Sequence, residues 1–125
     1  MVNKLNVTKV TQSKLVSLIA LSEQCLDDTQ RWFGDKSINN LNHQTLGMCG
    51  EVGEFANIVK KIDKGQLKLG DATTKIRLAE ELADIFTYML SIAGLLNIDL
   101  EKAYTGVRKN NERRFSEAKK ERDTK

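Results

Sequence analysis

Apolar positions along this chain recur every three or four residues, and the recurrence falls into four blocks separated by polar punctuation. In the first, Leu15, Leu18, Ile19, Leu26 and Phe33 share one face, with Thr11 or Ser13 suited to cap its start and Gly34 to stop it. Ahead of it, Met1 to Lys9 show no sustained period; Leu5, Val7 and Val10 suit an extended lead-in, expected to be flexible over residues 1–10. The run Asp35 to Asn42, rich in Asp, Ser and Asn, reads as a loop turning near Asn39-Asn40. A second helix is expected from about Asn42 to Lys64, where Lys60, Lys61 and Lys64 suit the negative end of the helix dipole and Gly65 ends it. After a polar connection, Gln66 to Asp71, a third starts at Asp71 or Thr73 and reaches about Asn97. A fourth follows Asp99, with Leu100, Tyr104, Val107, Asn111 and Phe115 on one face and a charged tail, Glu117 to Lys125, expected to fray.

With no proline and no convincing period-two segment, the pattern predicts an all-α fold, a four-helix bundle. Its apolar faces are wide for so small a bundle, so completion by dimerisation or higher oligomerisation, as a homodimer or homotetramer, is expected. Gly47, Gly50 and Gly53 each cost the second helix about 1 kcal/mol relative to Ala, so close packing against another helix is expected there.

Composition narrows the class. A chain of 125 residues, 40% apolar and 30% charged, fits a single domain able to bury a core of its own. A net charge of +3 spread through the sequence does not demand a nucleic-acid surface and suits a small anionic ligand equally. Two cysteines, Cys25 and Cys49, make neither a disulfide framework nor a metal-type spacing, which fits a reducing cytoplasm. The longest apolar-rich stretch, near Met89 to Leu96, is too short to span a membrane, so a soluble intracellular protein is expected.

One motif is written twice. Glu51-x-x-Glu54-Phe55-x-x-Ile58-Val59-x-x-Ile62 in the second helix is matched by Glu81-x-x-Asp84-Ile85-x-x-Tyr88-Met89-x-x-Ile92 in the third. At about 100° per residue, each leading acid lies within roughly 80° of the apolar positions that follow it. The acids therefore point toward a packing seam, where desolvating each would cost several kcal/mol without a cation between them. Four carboxylates three residues apart on facing helices suit Mg²⁺, or Mn²⁺, better than zinc or copper. A di-iron centre would need Glu-x-x-His motifs, and the single histidine, His43, stands eight residues before Glu51. Glu80 points about 100° away from Glu81 and is expected to be solvated or to support the site from behind.

The segment Leu46-Gly47-Met48-Cys49-Gly50-Glu51-Val52-Gly53-Glu54-Phe55, with Lys60-Lys61 and then Glu80-Glu81-Leu82-Ala83-Asp84-Ile85, resembles the MazG-type all-α nucleoside triphosphate pyrophosphohydrolases, whose signature is E-x-x-E followed by E-x-x-D. The resemblance covers about Leu41 to Phe115. It implies Mg²⁺ held by Glu51, Glu54, Glu81 and Asp84, and hydrolysis of a nucleoside triphosphate to the monophosphate and pyrophosphate. The family's K-N-x-x-R element is matched by Lys109-Asn110-x-x-Arg113, implying phosphate contacts, although Arg108, Asn111 and Arg114 also allow a shift of one residue.

Some of the mechanism follows from the residues alone. Carboxylate-held cations would neutralise phosphate charge and activate a water for in-line attack, a carboxylate not fully engaged would take its proton, and Lys61, within about 20° of Glu54 on the wheel, would reach the same triphosphate. Of the aromatics, Phe33 and Tyr88 fit the core pattern, and core is also the expectation for Trp32 over a platform for a base. Two other readings stay open: a non-catalytic helical interaction protein with structural acids and a basic tail, and a hydrolase of the same fold acting on another nucleotide such as phosphoribosyl-ATP.

Overall fold

Ser17 starts the first helix. In the computed structural model, which describes residues 16–125 except Lys36, its hydroxyl accepts from the Ala20 N–H at 3.1 Å, and α1 runs Leu18–Phe33. Thr11 and Ser13, the alternative caps, lie outside the described residues, as do Leu15 and the lead-in. Gly34 closes α1 as expected: its φ of 75° is left-handed, and its N–H reaches the Gln30 carbonyl at 2.9 Å. The following loop holds a 3₁₀ turn, Ile38–Asn40, tied down by Asn40 Nδ2 donating to the Asp35 carbonyl at 3.0 Å.

Helix α2 is Leu41–Asp63 and α3 is Ala72–Leu95. The exit from α2 uses Gly65 at φ 75°, with Gln66 N–H bonded to the Lys61 carbonyl at 2.8 Å. At the end of α3 a non-glycine residue, Asn97, takes the left-handed conformation at φ 53°, and Ile98 N–H closes on the Ala93 carbonyl at 2.8 Å. Asp99 Oδ1 then caps α4, Leu100–Asp123, through the Lys102 N–H at 3.0 Å. The helix runs on to Asp123, through most of the tail expected to fray.

Packing departs from a closed four-helix bundle. Helices α2 and α3 form an antiparallel hairpin, α1 packs on α3, and the chain turns by 104° between α3 and α4. Helix α4 makes its main contact with α1 and buries none of its own residues. Among the described residues the only buried apolar side chains are Ile58, Leu90 and Ala93. The described residues thus do not by themselves close a core. Val59 and Met89, expected in the seam, are 44% and 40% exposed, and α4 leaves Tyr104, Val107 and Phe115 at 60% exposure or more. The reason is geometric: three helices cannot surround the two apolar faces that α2 and α3 carry, and the fourth points elsewhere.

Of the three glycines in α2, one meets the expected close approach. A Cβ on Gly47 would stand 2.5 Å from the Tyr88 ring, whereas Gly50 and Gly53 face open space. No single helix among the described residues is long and apolar enough to cross a membrane.

Candidate functional site

The α2–α3 hairpin sets the register of the site. Gly47 lies against Tyr88 and Glu51 against Asp84, so each step back along α2 is matched by an equal step forward along α3. Carboxylate oxygens of Glu51, Glu81 and Asp84 all lie within 4.8 Å of one another, the first two half-buried and Asp84 exposed. Glu54 falls outside this group and is exposed, as is Glu80. Burial pushes the Glu51 carboxyl above its ordinary range, reinforced by a hydrogen bond with Glu81 and by the charges of Asp84, Glu54 and Glu81. Among the described residues the charges acting on Glu51 are all negative.

An all-oxygen donor set fits a hard divalent cation. Around a Mg²⁺ with metal–oxygen distances of about 2.1 Å, adjacent ligand oxygens stand about 3.0 Å apart and opposite ones about 4.2 Å, so oxygens within 4.8 Å of one another reach that spacing by side-chain movements of up to about 2 Å. Glu51 and Asp84 also form one wall of a cavity of about 490 Å³ between α1, α2 and α3. Trp32, Phe33, His43 and Tyr88 line the rest with the buried Gln44. Such a volume is in the range of small-molecule sites.

The aromatics correct the sequence reading. Trp32 and Phe33 are 64% and 68% exposed, not core. They sit at the last turn of α1, where the cavity opens; the Phe33 ring is tilted on His43 at 6.4 Å between centroids, and the Arg31 guanidinium lies 5.2 Å from the Trp32 ring centroid. Tyr88 is half-buried between Gly47 and the cavity.

The cationic candidates do not join the acids within one chain. Lys61, half-buried, stands seven residues beyond Glu54, about 10 Å along the helix, and does not line the cavity. Lys109, Asn110 and Arg113 are exposed on α4; Arg113 bonds Glu117 at 3.2 Å and Asn110 Oδ1 at 3.1 Å within its own helix. Asn111, the alternative to Asn110, is half-buried.

Sequence reasoning missed Gln44. The signal was present in spacing, since Gln44 is seven residues before Glu51 and so lies two turns along the same face. Its neutrality hid it among acids.

Fold and site together define an all-α protein with a carboxylate cluster at the edge of an aromatic-lined cavity. The sequence profile of the MazG nucleotide pyrophosphohydrolase domain matches residues 40–116, and the chain belongs to that family. It is similar to the Gene 37 protein of Mycobacterium phage L5, 36% identical over 62 residues, which is 50% of this chain and 54% of that protein. The chain therefore spans about half the length of this relative.

Proposed function

We propose that this protein is a Mg²⁺-dependent pyrophosphohydrolase that converts a nucleoside or deoxynucleoside triphosphate and water to the monophosphate and pyrophosphate, in housekeeping of a cytoplasmic nucleotide pool. The observation that carries it is the convergence of Glu51, Glu81 and Asp84 at the wall of a cavity large enough for a nucleoside.

Glu51, Glu81 and Asp84 would hold the cation, with Glu54, whose charge already acts on Glu51, completing the set. Mn²⁺ suits the same oxygens. When bound, the cation supplies charge neutralisation of the phosphates and acidification of water. The carboxylates orient a water in line with the phosphorus under attack; its oxygen forms the new P–O bond as the bond to pyrophosphate breaks, and a carboxylate free of the metal takes the proton.

The cations that balance the triphosphate come from Lys61 and from Lys109 and Arg113 of a second copy, with the Asn110 amide as a neutral hydrogen-bonding partner beside them. Helix α4 carries a basic stripe and an apolar stripe, Tyr104, Val107 and Phe115, which nothing among the described residues covers. Among the described residues the acids have no positive partner, and α3 exposes Leu82, Phe86 and Met89. A homodimer answers both deficits, and a homotetramer would pair two such dimers.

Pyrophosphate release across ribo- and deoxynucleoside triphosphates and phosphoribosyl-ATP, with and without Mg²⁺, tests the reading. Release from triphosphates only with Mg²⁺ or Mn²⁺ supports it. Release from phosphoribosyl-ATP alone moves the substrate, and no release from any nucleotide leaves a helical interaction protein.

A further inference from the structure

Gln44 is 3% exposed, and among the described residues its side-chain amide makes no hydrogen bond. A buried polar group left without a partner is costly, and its neighbours avoid that state. In the same cavity wall Thr29 donates to the Cys25 carbonyl at 2.9 Å, Thr87 to the Ala83 carbonyl at 2.8 Å, Ser91 is bonded to the Cys25 sulfur, and Asp28 accepts from Arg31 at 2.6 Å. Among the described residues no fully enclosed side-chain nitrogen or oxygen lacks a partner. The small surface that Gln44 retains therefore belongs to its amide and opens on the cavity it lines.

Position gives this amide a task. Gln44 lies seven residues from Glu51 on one face of α2, about 10 Å along the axis, the span of a sugar and a base beyond a phosphate held at the acids. Tyr88, fixed against Gly47, and Trp32 and Phe33 at the mouth supply flat apolar surface on the way. An amide offers one donor and one acceptor side by side, the complement of a base edge on which a carbonyl or amino group adjoins a ring nitrogen.

We propose that Gln44 determines base specificity, its amide pairing with the edge of the nucleotide base seated in this cavity. The proposal rests on the nucleotide-hydrolase reading and deepens it. Gln44 acts at the far end of the cavity from the reacting phosphate, so its effect is on which nucleotide is accepted.

Two substitutions test this, each with binding and turnover measured separately. Dissociation constants of the nucleoside monophosphates of all the common bases, and kcat/KM for the matching triphosphates, are compared in the wild type, Gln44→Met and Gln44→Glu. Gln44→Met keeps the shape and removes the partnerless polar group; it is expected to melt at or above the wild-type temperature while weakening the preferred base by roughly tenfold or more and flattening the ranking. Gln44→Glu loses the donor, so bases that present a carbonyl oxygen are expected to weaken by tenfold or more relative to amino-bearing ones. Equal changes for every base, or no change, overturn the proposal, as does a lower melting temperature for Gln44→Met, which would make the amide a structural bond. Base-selective monophosphate binding that follows Gln44 in a protein releasing no pyrophosphate would uphold this inference and overturn the hydrolase reading. A wild type that binds no nucleotide overturns both.

Discussion

The carboxyl of Glu51 is where the electrostatics of the site concentrate. Its pKa is raised in the folded chain, so the folded state holds that proton more tightly than the unfolded one. The contribution of Glu51 to stability is then most favourable below the ordinary Glu range and is lost as pH rises through the raised value. Glu51→Gln is accordingly expected to raise the melting temperature of the metal-free protein at neutral pH, with the gain shrinking on acidification, and, under the proposed metal role, to abolish the stabilisation expected of the wild type in millimolar Mg²⁺ by linkage. Thermal unfolding with and without metal across pH checks it; a variant less stable than wild type at neutral pH would show that the acids do not repel. Gly47 is a second informative residue. Gly47→Ala gains about 1 kcal/mol of helix propensity but drives its methyl into the Tyr88 ring, and overpacking costs about 1–3 kcal/mol. The ring tip is the part able to move, so we expect a near-neutral change in stability and a raised KM as Tyr88 shifts into the cavity. A lower kcat at unchanged KM would contradict that.

At the level of elements, the boundaries were legible because they are local. Gly34, Gly65 and Asp99 carry out the stops and the cap their types promised, and the spacing of Glu51 and Glu81 forecast acids facing one another across a hairpin. The placement of α4 was not legible: a stripe of apolar residues specifies that a helix has a packing face, but not which surface meets it, and the turn at Asn97 swings that face off the bundle. Trp32 and Phe33 were misread for a related reason: Phe33 keeps the α1 periodicity and Trp32 adjoins it, but both line an open cavity instead of a closed seam. Helix α4 carries its own prediction. If Lys109 and Arg113 reach phosphates, each Ala variant should lose kcat/KM by roughly 1.5–3 kcal/mol equivalent, the scale of a charge-assisted contact, while Lys119→Ala and Lys120→Ala change little. Kinetics at low and about 0.3 M added salt separate the cases, because a general attraction for anions would be shared by all four positions and screened away.

For the whole molecule, the thin core is the governing fact. With three buried apolar side chains among the described residues and wide exposed stripes on α3 and α4, the proposed association would supply much of the missing burial. Tyr104→Glu combined with Val107→Glu places two charges on the α4 stripe and is expected to yield a monomer of lowered melting temperature that has lost turnover. Sedimentation velocity and helicity by circular dichroism follow the two changes. A variant that stays associated and active would remove α4 from the interface and from the site.

The two thiols differ in a way that can be put to use. Cys49 is exposed on α2, while Cys25 is half-buried in the cavity wall, its thiol pushed up by burial and by the charge of Asp28 and bonded to Ser91. Thiolate is the reactive form, so at neutral pH a maleimide should label Cys49 within the first phase and Cys25 far more slowly. In a Cys49→Ser background the slow phase alone remains, and anything that fills the cavity should slow it further. Cys25 thus gives a covalent clock for occupancy that needs no turnover, one that a nucleotide should stop and free pyrophosphate should leave running.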